Sequence, residues 1–99
     1  MAKTGLRDTE YATEIATASL SFDDAQEACE EARIERLDVK GRGGNRGGQE
    51  EIRFSWWREG RMLPRPLDLT EDDLLKLLKS AIERDVFTAK FTIRLRQLL

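Results

Sequence analysis

Residues 51–69 read EIRFSWWREGRMLPRPLDL, and this stretch decides how the rest of the chain is arranged. Its first seven residues alternate, so three large apolar side chains share one face of a strand: Ile52, Phe54 and Trp56. Gly60 predicts a tight reversal, because glycine accepts the positive φ that hairpin turns require. Pro64 stops the returning strand, since proline donates no ladder hydrogen bond. The stretch therefore predicts a β-hairpin with strands at about 51–57 and 61–63.

Two adjacent tryptophans in this hairpin must point to opposite faces of the strand. Trp56 shares its face with apolar neighbours, which predicts a place in the core. Trp57 is expected on the outer face beside Arg53, either under a second packing layer or exposed as an interface anchor. Tryptophan and arginine are enriched at interface hot spots. The predicted partner-binding residues are Arg53, Trp57, Arg58, Arg61 and Arg65.

The N-terminal part of the chain has apolar residues at steps of four and three: Tyr11, Ile15, Ala18, Phe22, Ala25, Cys29 and Ala32. This spacing is typical of a helical stripe and predicts a two-piece helical segment at about 9–20 and 22–35. The threonine-rich run ATEIATASL leaves a strand open as the alternative for the first piece. A short strand at about 36–40 follows.

Two helices are predicted at the C-terminal end. Thr70 can cap the first, with Asp73 at the third helical position in an approximate capping box. Thr88 can cap the second, in which Phe91, Leu95 and Leu98 align on one face. The expected fold is a single α+β domain over residues 1–99. Its small antiparallel sheet (about 36–40, 51–57 and 61–63) is packed with the N-terminal helical segment and the two C-terminal helices.

Residues 41–48, GRGGNRGG, contain five glycines and no apolar side chain. This composition predicts a flexible loop at about 41–49, because it cannot bury surface to offset its ordering entropy. The segment lacks the Gly-Lys-Ser/Thr ending of a phosphate-binding loop. Arg42 and Arg46 are candidates for nucleic-acid binding, as in arginine-glycine segments that bind single strands. The alternative is a soluble connecting loop with no further role.

The residue types present exclude several kinds of chemistry. The chain has no histidine and one cysteine, Cys29, so it cannot assemble the common zinc sites, a Ser-His-Asp triad or a Cys-His pair. We expect Cys29 to be a small buried apolar residue. Neighbouring acids such as Asp72 and Asp73 suit a first helical turn better than catalysis. We therefore expect no enzyme activity, no catalytic residue, no metal and no cofactor. The short apolar runs and the polar N-terminus predict a cytoplasmic protein without a membrane segment.

Charge is unevenly distributed along the chain, which has a net charge of −2. Residues 1–39 carry −6, residues 40–66 carry +4, and residues 67–99 are neutral. Overall acidity opposes attraction to polyanions, which favours a protein partner over nucleic acid. The predicted function is a non-enzymatic protein-binding module, as a monomer or a dimer. The alternative is a single-stranded nucleic-acid-binding protein that uses the Gly/Arg loop and the Trp/Arg hairpin.

In size, acidity and mixed short elements the chain is similar to small accessory proteins of phages and mobile elements, anti-CRISPR inhibitors among them. This is a similarity of type, since no family motif is present. It implies an antagonist of a host enzyme or complex that handles nucleic acid.

Overall fold

The computed structural model describes residues 7–22, 30–40 and 48–99. Four antiparallel strands form one sheet in the order β1-β2-β3-β4, and two helices follow. The elements are β1 (Ala12–Phe22), β2 (Glu30–Val39), β3 (Glu50–Arg58), β4 (Arg61–Leu63), α1 (Glu71–Glu83) and α2 (Ala89–Leu98). The α+β class, with a small antiparallel sheet and two C-terminal helices, is confirmed.

The hairpin of β3 and β4 forms as the sequence predicts. Arg58 pairs with Arg61 across a two-residue loop, in which Glu59 has φ 51° and Gly60 has φ 78°. Two successive positive φ values are typical of the type I′ turn, whose twist matches that of the flanking strands. Strand β4 ends at the residue before Pro64.

The predicted N-terminal helical segment is wrong. Most of the first piece, 9–20, lies on β1, which agrees with the strand left open as its alternative, and residues 30–35 of the second piece, 22–35, lie on β2. The predicted strand 36–40 is only the end of β2. Residues 23–29, which include Cys29, lie outside the described residues, as do residues 41–47 of the predicted loop.

Small and polar side chains alternate along β1, which explains why this segment forms a strand. Ala18 faces the helices, and Thr17 and Ser19 on either side of it lie on the other face. A register shift between Glu14 and Ala16 interrupts this period of two, which conceals it in the sequence. Pairing with β2 along the whole of β1 then favours the extended form.

Helix α1 packs on β1 and β2. Alanines on both strands allow the helix backbone to approach closely, and the buried cluster consists of Ala18, Ala32, Ile34, Leu77, Ala81 and Val86. The hydroxyl of Thr70 accepts a hydrogen bond from the Asp73 backbone N–H at 3.1 Å, which confirms the predicted cap. The same face of β3 is left partly open, since Ile52 and Phe54 are exposed there.

The outer edge of β1 has two sets of polar contacts. Residues 7–9 fold back along it, and the Glu14 backbone N–H donates to the Arg7 carbonyl at 2.8 Å. Further along, Arg84 Nε donates to the Thr17 carbonyl at 2.9 Å. The fold-back of residues 7–9 also brings the Arg7 side chain over the sheet face opposite the helices.

Helix α2 begins after Thr88, whose hydroxyl accepts a hydrogen bond from the Phe91 backbone N–H at 3.1 Å. The predicted cap is confirmed. No residue of α2 is buried. Within the described ranges, neither this helix nor α1 is long and apolar enough to cross a membrane.

Candidate protein-binding surfaces

Trp57 lies on the sheet face opposite the helices, and only 2% of it is exposed. Its indole N–H donates to the Ser55 hydroxyl at 2.8 Å. The guanidinium of Arg33 lies 3.9 Å from the ring centroid, and that of Arg7 lies 4.5 Å away. Two cation–π contacts of this kind cover the indole and stabilise its position.

Two buried carboxyl groups lie near this tryptophan. Arg7 Nε is 2.9 Å from Glu14 Oε2, and Arg53 Nη2 is 2.9 Å from Glu35 Oε1. Arg7 also approaches Glu35, with 3.8 Å between Nη2 and Oε2. Because these residues lie on β1, β2, β3 and the segment before β1, the contacts join all four parts. We call this set the Trp57 cluster: Arg7, Glu14, Arg33, Glu35, Arg53, Ser55 and Trp57.

The two carboxyl groups titrate differently. Burial, together with the hydrogen bond to Glu14 and the charge of Glu14, raises the pKa of Glu35 from 4.5 to about 7, although Arg53 opposes this. Burial alone would raise the pKa of Glu14 too, but hydrogen bonds from Glu35 and Arg7 hold it below its usual value. The pair therefore shares one proton over part of the acidic range.

Pairs of carboxyl groups with different pKa values also occur in acid–base catalysis, but a substrate cannot reach this pair. The side chains of Glu14 and Glu35 are 2% and 0% exposed. Their partners are the guanidinium groups that hold the sheet face together, which indicates a structural role. Within the described part of the chain, no group of three or more potential ligands could hold a metal.

The structure divides the predicted partner-binding residues between the two sheet faces. Arg53 and Trp57 belong to the Trp57 cluster. Of the two positions left open for Trp57, under cover or exposed as an anchor, the structure shows the covered one. Trp56 packs against the core, as its position beside apolar neighbours predicts, but it is only half-buried. Arg42 and Arg46 lie outside the described residues.

Arg58 and Arg65 meet at Glu30, on the helix side of the sheet. Arg58 Nε lies 3.0 Å from Glu30 Oε2, and Arg65 Nη2 lies 3.1 Å from Glu30 Oε1. The Arg65 guanidinium also lies 5.1 Å from the Trp56 ring centroid. Arg61 is exposed in the hairpin. The five predicted residues therefore do not form one continuous patch, and whether any of them binds a partner stays a prediction.

A second set of apolar side chains, on the helix side, is open to solvent. Its members come from β3, α1 and α2, and each is at least 40% exposed: Ile52, Phe54, Leu75, Ile82, Phe91 and Leu98. We call this set the apolar surface. Ile52 and Phe91 line one recess, so the β3 and α2 parts are continuous. Phe91 is held by the ring of Phe87, 4.9 Å away between centroids.

Sequence reasoning found the α2 stripe but did not identify it as a surface. The available signal was charge: residues 89–98 contain Lys90, Arg94 and Arg96 and no acid, in a chain of net charge −2. No sequence signal located Arg7 and Arg33 over Trp57, because strand register determines those contacts.

Comparison of the chain with protein-family models, with curated proteins and with solved structures finds no significant match.

Proposed function

We propose that this protein is a protein-binding module without catalytic activity, and that the apolar surface makes the contact. The observation that carries the proposal is helix α2, which presents an apolar stripe yet buries none of its residues. A helix of ten residues is marginal in water without tertiary packing. A partner that covers the stripe would supply that packing.

The β3 part of the surface supports the same proposal. Ile52 and Phe54 are 40% and 47% exposed on a sheet face whose other half is covered by α1. Contiguous exposed apolar side chains with polar residues around them are typical of interaction sites. The recess between Ile52 and Phe91 also has Arg36 and Glu50 in its lining, which supplies a polar rim.

Single-strand nucleic-acid binding, the alternative, receives less support. Base stacking on Trp57 would require the guanidinium groups of Arg7 and Arg33 to leave its ring. The narrower role, antagonism of a host enzyme that handles nucleic acid, is supported only by the similarity of type and stays a prediction.

An affinity capture from a lysate of the source cell tests the proposal. The wild-type protein is compared with Leu98→Asp, which puts a charge on the stripe, and with Ile93→Asp, which puts the same charge on the other side of α2. We expect a specific protein to be retained by wild type and by Ile93→Asp and lost with Leu98→Asp, with or without nuclease. Equal capture by all three would contradict the apolar surface, and loss on nuclease treatment would favour the nucleic-acid alternative.

A further inference from the structure

Two exposed apolar stripes on different helices match in length. Leu75 and Ile82 lie seven residues apart on α1, and Phe91 and Leu98 lie seven residues apart on α2. Seven residues make about two helical turns, or about 10 Å, so each pair lies on one side of its helix. Leu75 is 65% exposed and Leu98 is 82% exposed, so the described residues leave each stripe partly uncovered.

The charges of the two helices are opposite. Helix α1, Glu71–Glu83, carries four acids and two bases and so has a charge of −2. Residues 89–98, which form α2, carry three bases and no acid and so have a charge of +3. Apolar contact and charge attraction therefore favour the same pairing, α1 with α2.

We infer that the partner of the apolar surface is a second copy of this chain, with α2 of each copy packed on the Leu75–Ile82 stripe of the other copy's α1. This inference rests on the proposed function and names the partner. A two-fold axis repeats the contact, so one dimer buries both stripes of both chains. The rest of each chain carries −5 against the +3 of the incoming helix, which also attracts the second copy.

The mass in solution, measured by sedimentation equilibrium across a range of concentrations, tests the inference. We expect wild type to reach twice the chain mass of 11.4 kDa. Leu75→Asp and Leu98→Asp should each raise the dissociation constant of the dimer about tenfold or more, because each places a charge inside the contact. High salt should also weaken the wild-type dimer.

Ile93→Asp is the matched control. Ile93 is 55% exposed, and it lies about 160° around α2 from Phe91 and about 140° from Leu98. It should leave the dimer intact. Circular dichroism of each variant checks that the fold is retained, which is expected because all three side chains are exposed in one chain.

Mixing two variants gives a second test, in which association is expected to be regained and not lost. When Leu75→Asp and Leu98→Asp chains are combined, one of the two reciprocal contacts contains only wild-type residues. The other contact carries both substitutions, but one substitution is expected to break a contact, so the second adds little there. With one contact intact, the mixture should associate more strongly than either variant alone. A mixture no stronger than its components would overturn the α1–α2 pairing.

The outcomes also separate this inference from the proposed function. A wild-type protein that stays a monomer at every concentration overturns the second copy as partner. If Leu98→Asp then still loses a captured protein that Ile93→Asp retains, the apolar surface remains a protein-binding site. If the monomer also captures nothing in a Leu98-dependent way, both are wrong. A dimer that both stripe variants leave unchanged forms elsewhere and also overturns the inference.

Discussion

Strand β3 presents two faces whose burial is the reverse of what their residue types suggest. On the face opposite the helices, Ser55 and Trp57 are 5% and 2% exposed among charged residues. On the helix side, Ile52 and Phe54 are 40% and 47% exposed. Arginine side chains close the first face, because their stems and guanidinium groups lie over the indole. The second face is more open because α1 packs mainly on β1 and β2. Burial in this small sheet depends on which neighbour covers a residue.

The largest expected effect tests this difference directly. Trp57→Ala should lower the free energy of unfolding by about 3–5 kcal/mol, as large aromatic truncations in a core do. Phe54→Ala, on the same strand and the other face, should cost about 1 kcal/mol or less, because half of the ring is already in water. Urea unfolding of both variants measures the two costs. Similar losses would show that the two faces are equally important for stability.

The pH dependence of stability tests the burial of the Trp57 cluster, on the sheet face opposite the helices. Glu35 has a pKa of about 7 in the folded protein and an ordinary value of 4.5, so between these values the folded protein holds a proton that the unfolded chain has released. The contribution of this group to stability is complete below pH 4.5 and is lost as the pH rises to 7. The pKa of Glu14 is lowered, so its stabilising effect is present above 4.5 and is lost below that value, outside this window.

Glu35→Gln isolates this effect, because its amide cannot titrate. Across the window from pH 4.5 to 7, we expect wild type to lose on the order of 2 kcal/mol of unfolding free energy relative to the variant. Urea unfolding at several pH values measures the difference. Parallel pH profiles for the two proteins would mean that Glu35 titrates normally and that the cluster is open to water.

The smallest expected effect compares the two helix caps. Thr70 and Thr88 each accept one backbone hydrogen bond at 3.1 Å. Thr70→Ala should lower the unfolding free energy by about 1 kcal/mol, since α1 packs on the sheet. Thr88→Ala should leave global unfolding almost unchanged in a single chain and reduce the helical circular dichroism signal, since α2 buries no residue. Dilute protein is needed, because association would couple α2 to the fold.

Local signals in the sequence were sufficient for the second half of the fold. Gly60, Pro64 and the two capping threonines each act within a few residues, so their effects can be read from the sequence alone. The N-terminal half is different. The alanines at 16 and 18 suit a helix and suit a strand under a closely packed helix equally well, and the shift near Ile15 breaks the period of two.

The candidate sites show the same limit. Alternation correctly placed Trp56 and Trp57 on opposite faces of the strand. It could not predict which other residues cover each face. The cover of Trp57 comes from Arg7 and Arg33, which are 50 and 24 residues away in the chain. Such contacts depend on strand order and register, which one sequence does not determine.

The outer edge of β1 has a consequence for how the protein behaves when concentrated. An exposed edge strand of eleven residues can add strands from other molecules and so begin aggregation. Here the Arg7 carbonyl is bonded to the Glu14 N–H, and the Arg84 side chain is bonded to the Thr17 carbonyl. An incoming strand would have to displace both before it could form a continuous ladder. We therefore expect Arg7 and Arg84 to hinder fibril-like stacking, in addition to their contacts within the fold.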